Sequence, residues 1–122
     1  SRANVAAALL AAEALLGAPV RVLVNNAGIA DELDPDRTVA INLLAVLHGT
    51  SLALNRAPSL PLDGCERAAA AVVVVNIASA GGLFAMPYSP FYAASKHGVV
   101  GFSRSLAHSD EARLRRVHVH CV

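Results

Sequence analysis

Residues 72–77 read VVVVNI, an almost unbroken run of β-branched side chains. A strand with one wet face alternates apolar and polar residues, so a run without that alternation is what a strand covered on both faces requires. A parallel sheet between helices supplies such cover, and Ala80-Gly81-Gly82 supplies the break that ends the strand.

The flanking text fits that setting. Residues 5–16 are rich in Ala and Leu and stop at Gly17 and Pro19, a helix followed by its stop signals. Residues 20–24 (VRVLV) read as a second strand covered on both faces, which breaks at the tight turn Asn25-Asn26-Ala27-Gly28. Asp34 can cap a helix with Pro35 at its first position, and Val39, Leu43, Val46, Leu47 and Leu54 recur at helical spacing. Residues 55–67, with Pro58, Pro61, Asp63 and Gly64, read as a surface loop. A second long helix is expected over residues 89–107. Arg113, Arg115 and Arg116 then close a helix or open a turn, where cations suit the negative end of the dipole, and residues 117–122 (VHVHCV) form a third strand.

Helix, strand, helix, strand, helix, strand is the order of consecutive βαβ units with right-handed crossovers. The expected fold is therefore α/β: a partial doubly wound, Rossmann-like parallel sheet of three strands and their helices, forming a single partial domain over residues 1–122. In such sheets ligands bind beyond the carboxyl ends of the strands, which places the Asn25–Gly28 turn and the segment from Ser79 to Gly82 at one edge. The strand at 20–24 should be central, with a further neighbour contributed by an amino-terminal half that precedes Ser1. Without it, an open apolar edge invites aggregation.

Composition narrows the function classes. Hydrophobic residues make up 55% of the chain and charged ones 16%, which argues against disorder. The net charge is +1 with scattered basic residues, so no footprint for nucleic acid stands out. Cys65 and Cys121 form no CxxC, in keeping with a reducing, cytoplasmic setting. The most apolar stretches, residues 5–16 and 68–75, fall short of the roughly 20 residues that span a bilayer, so no membrane partner is expected. Nor is a signal peptide read at the start.

The chemistry is carried by four side chains. Tyr92 and Lys96 lie four apart on the second long helix (YAASK), so both project from one face. A phenol is a poor base near neutrality unless a cation favours its ionised form, and Lys96 can be that cation. An isolated YxxxK more often means a tyrosine at the core edge beside a solvated lysine. Ser79 changes this: it stands thirteen residues before Tyr92, at the carboxyl end of the VVVVNI strand, where its hydroxyl can reach a substrate oxygen that Tyr92 also reaches. Asn42 is a polar residue inside an apolar helical run (VAINLLAV); buried, it needs partners, and a water chain to Lys96 is one candidate.

Taken together, NNAG, Asn42, NIAS with Ser79, and Tyr92-Ala93-Ala94-Ser95-Lys96 resemble, in order and spacing, the short-chain dehydrogenase/reductase family from about residue 20 to residue 122. The resemblance implies an oxidoreductase that moves a hydride between NAD or NADP and a small alcohol or carbonyl substrate. It implies Tyr92 as general acid/base, Lys96 orienting the nicotinamide ribose, Ser79 positioning the reacting oxygen and Asn42 holding a proton-relay water. It further implies that Asn25, Ala27 and Gly28, with Tyr92 and Lys96, line the cofactor, and that long helices pair into a homodimer or homotetramer. The family's glycine-rich phosphate loop, GxxxGxG, is not in this text, and a non-catalytic Rossmann-type module is the reading that absence favours. Some relatives carry a substrate-contacting glutamine three residues before the tyrosine, where this chain has Ser89. His118, His120 and Cys121 have no further spaced ligands, so no metal site is expected. His48, His97 and His108, like Phe91 and Phe102, read as surface or packing residues.

Overall fold

Ser1 opens the first helix in the computed structural model of the chain, which describes residues 1–57 and 71–122. Its hydroxyl accepts a hydrogen bond from the Asn4 N–H, so α1 (Arg2–Leu16) begins three residues before the apolar pattern does. Gly17 ends it at φ 62°, a left-handed conformation that glycine adopts without a Cβ penalty.

The first strand, β1 (Val22–Asn25), sits slightly later than VRVLV suggests and takes in the first asparagine of the turn. Asp34 caps α2 (Pro35–Val39) by accepting from the Arg37 N–H at 2.9 Å, with Pro35 at the first position as expected. That helix does not stop. It passes through a π-turn at Ala40–Leu44 into α3 (Ala45–Arg56). α3 takes in Asn55 and Arg56, the first residues of the expected loop, and the rest of that expectation, with Pro58, Pro61, Asp63, Gly64 and Cys65, lies outside the described residues. From Pro35 to Arg56 the helix is long and apolar enough to cross a membrane by length and composition, although no unbroken apolar run marks it in the sequence. Its buried residues Val46, Gly49, Thr50, Ala53 and Leu54 lie on α3, which packs on β1 and β2.

The valine run forms β2 (Val72–Asn76), followed by a 3-10 turn at Ala80–Gly82. Then come α4 (Pro90–Ala107), a short α5 (Asp110–Leu114) and β3 (Val117–Cys121). The arginine cluster does close a helix, with Arg113 in the last turn of α5 and Arg115 at its C-cap, and the start of α5 is set by Ser109, whose hydroxyl accepts from the Ala112 N–H.

The sheet is parallel throughout, in the order β1-β2-β3. Asn25 pairs with Asn76 and Asn76 with Cys121, so the three strands end level and their turns share one edge. Val72, Val74 and Asn76 are buried while Val73 and Val75 are half-buried, so β2 is covered fully on one face and partly on the other. One core cluster joins β2 to α3, α5 and β3 around Val74, and a second joins α3 to α4 around Val46 and Val99 near the carboxyl edge.

Among the described residues β1 is the edge strand, with Val22 and Val24 59% and 52% exposed. This is the open apolar edge expected for residues 20–24 where no amino-terminal neighbour pairs with them; the cover expected on both faces is present on one. Its inward side chain, Leu23, packs on the core, while the opposite face has no described element over it.

Candidate active site

The carboxyl edge is where every singled-out side chain arrives. Lys96 is the most constrained of them. It is only 4% exposed, and its ammonium donates to the Ile77 carbonyl at 2.9 Å. A cation taken out of water needs such an acceptor, and Ile77, just past β2, provides it. The Lys96 Nζ lies 5.7 Å from the centre of the Tyr92 ring, so the four-residue spacing does put both on one face.

Ser79 stands two residues before Gly81, which faces the Tyr92 ring. Its backbone is extended, and its oxygen accepts from the Gly81 N–H at 3.1 Å, which leaves the hydroxyl hydrogen free to donate elsewhere. A Cβ built on Gly81 would stand 3.1 Å from the Tyr92 ring and collide with the Met86 sulfur. Gly81 is thus the spacer that lets the Ser79 turn and the Tyr92 ring come together. Among the described residues no group hydrogen-bonds the Tyr92 hydroxyl, so it is available to a ligand. Ser79 also borders a 420 Å³ cavity with Leu83, Val100, Arg104 and Val122.

Asn42 is fully buried and sits on the π-turn. Its amide is bonded both ways to one residue of the loop after β1: Oδ1 accepts from the Ile29 N–H and Nδ2 donates to the Ile29 carbonyl, each at 2.8 Å. Nδ2 also donates to the Ser95 hydroxyl at 3.0 Å. It makes no direct bond to Lys96. The two meet instead across Gly28, where an added Cβ would lie 3.4 Å from both Asn42 Oδ1 and Lys96 Nζ.

Within the NNAG turn the side chains divide. Asn25 turns inward, donating to Asn76 Oδ1 at 2.8 Å and Thr50 Oγ1 at 3.2 Å, and Gly49 must lack a side chain because a Cβ there would strike the Asn25 amide. Asn76 in turn donates to the Ser103 hydroxyl at 3.0 Å. Ala27 and Gly28 remain exposed, and Asn25 and Ala27 border a crevice of 170 Å³ with Val24 and Ile41. The sequence reading missed the roles of Ile29, Thr50, Asn76, Ser95 and Ser103. For Asn76 the signal was present, a lone polar residue in a valine run; the loop path that brings Ile29 to Asn42 has none.

Elsewhere, the described residues hold no group of three or more side chains suited to a metal. His118 and His120 are exposed on β3, and His97 shares a hydrogen bond with the Ala93 carbonyl on its own helix.

Comparison with known proteins gives a consistent result. The profile of a family described as short chain dehydrogenase matches residues 1–122. The 15-hydroxyprostaglandin dehydrogenase [NAD(+)] of Rattus norvegicus is 41% identical over 86 residues, which is 70% of this chain and 30% of that protein. Alcohol dehydrogenase 2 of Ceratitis cosyra is 40% identical over 87 residues, 71% of this chain and 31% of that one. The crystal structure of a short chain dehydrogenase from Mycobacterium smegmatis superposes with a TM-score of 0.79 at 29% identity, covering 99% of this chain and 49% of its own. The matched segment thus spans about a third of the curated relatives.

Proposed function

The chain belongs to the short-chain dehydrogenase family, and on that premise we propose that it is the catalytic part of an oxidoreductase that moves a hydride between NAD or NADP and a small alcohol or carbonyl substrate. The observation that carries the reading is the meeting of four side chains at one edge: Lys96 buried beside the Tyr92 ring, Ser79 across Gly81 from that ring, and Asn42 across Gly28 from Lys96.

The residues present fit a nicotinamide cofactor. Lys96 spends one of its three donors on Ile77, so two remain for ribose hydroxyls, and Ala27 and Gly28 offer a side-chain-poor wall against which a flat ring can lie. When bound, that cofactor takes up or gives the hydride. The protein manages the proton. In alcohol oxidation the Tyr92 oxygen removes the substrate hydroxyl proton and the Ser79 hydroxyl donates to the same substrate oxygen, with the buried Lys96 ammonium standing beside the Tyr92 ring. In carbonyl reduction Tyr92 returns the proton.

Asn42 Oδ1 has one lone pair left after accepting from Ile29. A water in the space that Gly28 leaves open would join that lone pair to Lys96, extending the proton path away from substrate. Asn25 borders the crevice and also fixes the strand ends through its side chain.

A homodimer or homotetramer built through the long helices is part of the same proposal, supported by Leu44 and Phe91, apolar residues left 43% exposed on them. A cytoplasmic setting is supported by the free, exposed thiol of Cys121.

The test is turnover of a secondary alcohol with NAD or NADP by Tyr92→Phe. Loss of the proton-transfer group should lower kcat by about 10² to 10⁴-fold with the circular dichroism unchanged. Turnover retained at the level of the parent protein would remove Tyr92 from the role.

A further inference from the structure

The helix that carries Tyr92 and Lys96 is capped from outside itself. Ser89 stands at its N-cap position but makes no side-chain cap, and Pro90 follows with no N–H to give. The Ser89 N–H goes to the Met86 carbonyl at 3.0 Å and the Ala93 N–H to the Ser89 carbonyl at 2.9 Å. Two donors are left at this end, the N–H groups of Phe91 and Tyr92. One carboxylate takes both: Glu32 Oε2 accepts from Phe91 at 3.0 Å and Oε1 from Tyr92 at 2.9 Å.

Glu32 comes from the loop after β1, sixty residues earlier in the chain than Tyr92. That loop is itself pinned to the α2–α3 helix. Asn42 grips both backbone groups of Ile29, and the buried Thr38 hydroxyl donates to the Asp31 carbonyl at 2.6 Å. The opposite end of Tyr92 is tied to the same helix: its carbonyl accepts from the Ser95 hydroxyl at 2.7 Å, and that hydroxyl accepts from Asn42 Nδ2. Both backbone groups of Tyr92 are therefore referred to one external frame.

We infer that Glu32 is a positioning residue for Tyr92, its carboxylate bridging the Phe91 and Tyr92 N–H groups so that the first turn of α4 and the phenol ring stay registered on the Ile29–Asp31 loop. The carboxylate suits the task because bonds from N–H groups to an ionised oxygen are strong, and a negative charge is favoured at a helix N-terminus. The ring follows the backbone because Tyr92 lies within that first turn. An acid/base displaced by roughly 1 Å loses on the order of a hundredfold in rate, so a frayed turn reaches the chemistry directly. The inference rests on Tyr92 being the proton-transfer group; the bridging contact does not.

Glu32→Ala and Glu32→Gln, read by nuclear magnetic resonance and by kinetics, test it. In Glu32→Ala the Phe91 and Tyr92 amides should exchange at least tenfold faster while those of Val99 and Val100 keep their protection, as expected for a local opening. The cross-peak between the Gly81 α-protons and the Tyr92 ring should weaken. Gln retains one acceptor oxygen and should restore part of both signals. In turnover, kcat per folded molecule should drop about tenfold or more with the KM for the coenzyme unchanged, and Gln should recover part of the loss. An unchanged ring cross-peak or unchanged amide exchange in Glu32→Ala overturns the inference, and so does a kcat loss that only follows the folded fraction. Tyr92→Phe in the same assay separates the two ideas. If it turns over normally, the acid/base assignment fails, while the positioning of the ring is still decided by the cross-peak.

Discussion

Two glycines show how differently the same substitution acts on the two sides of Lys96. A Cβ on Gly82 would lie 2.7 Å from the Lys96 carbonyl oxygen and 2.9 Å from Val100, and a helix backbone cannot step aside cheaply. Gly82→Ala should destabilise the protein by about 1–3 kcal/mol, read as a shifted denaturant midpoint at unchanged slope. A Cβ on Gly28 meets Asn42 and Lys96 at ordinary contact distance, 3.4 Å, and Gly28 is not in the left-handed region. Gly28→Ala should therefore leave the midpoint nearly unchanged and yet slow turnover about tenfold to a hundredfold, because it fills the space assigned to the relay water. Equal stability losses for the two variants would contradict this picture. Of the four chemical side chains, Ser79 and Asn42 were legible as odd residues for their place, a serine ending an apolar strand and an asparagine in an apolar helix, and Tyr92 and Lys96 by their four-residue spacing on one helix face. What Asn42 holds was not legible, because its partners Ile29 and Ser95 are fixed by a loop path that no periodicity encodes.

Asn76 binds elements rather than residues. It accepts from Asn25 on β1 and Thr50 on α3 and donates to Ser103 on α4, so one buried amide joins two strands and two helices. Asn76→Ala would remove three hydrogen bonds beside a small cavity, leaving Asn25 and Thr50 only each other, and a loss of about 2–4 kcal/mol in unfolding free energy is expected. A loss below 0.5 kcal/mol, on the order of a typical surface substitution, would show the ladder to be incidental. The long helices and all three strands were legible from period, caps and β-branched runs. The π-turn was not, because it leaves the apolar pattern almost intact, and of α5 only the arginine-bearing end was legible, its start being set by one serine cap.

At the scale of the molecule, parallel order followed from the alternation of elements, and the open apolar edge at β1 followed from reading residues 20–24 as a strand suited to a further neighbour. Val22 and Val24 look as buried in the text as Val73 and Val75, since a strand's pattern reports the surroundings it is suited to rather than those it has. An edge strand with apolar side chains on its open face is a template for pairing with other chains. Val24→Lys should reduce the light scattering of concentrated solutions of this chain while moving the thermal midpoint by no more than a few degrees. Undiminished scattering would place the association elsewhere, on Leu15 and Leu16 of α1 or the other exposed apolar side chains.

The π-turn at Ala40–Leu44 adds one residue to a helix that is otherwise continuous from Pro35 to Arg56. It acts as a phase break: the angular position of Asn42 toward the loop and that of Val46, Gly49, Thr50 and Ala53 toward the sheet are adjustable independently. Winding the same residues as unbroken α-helix, with none deleted, would rotate every group upstream of the turn by about a hundred degrees against everything downstream.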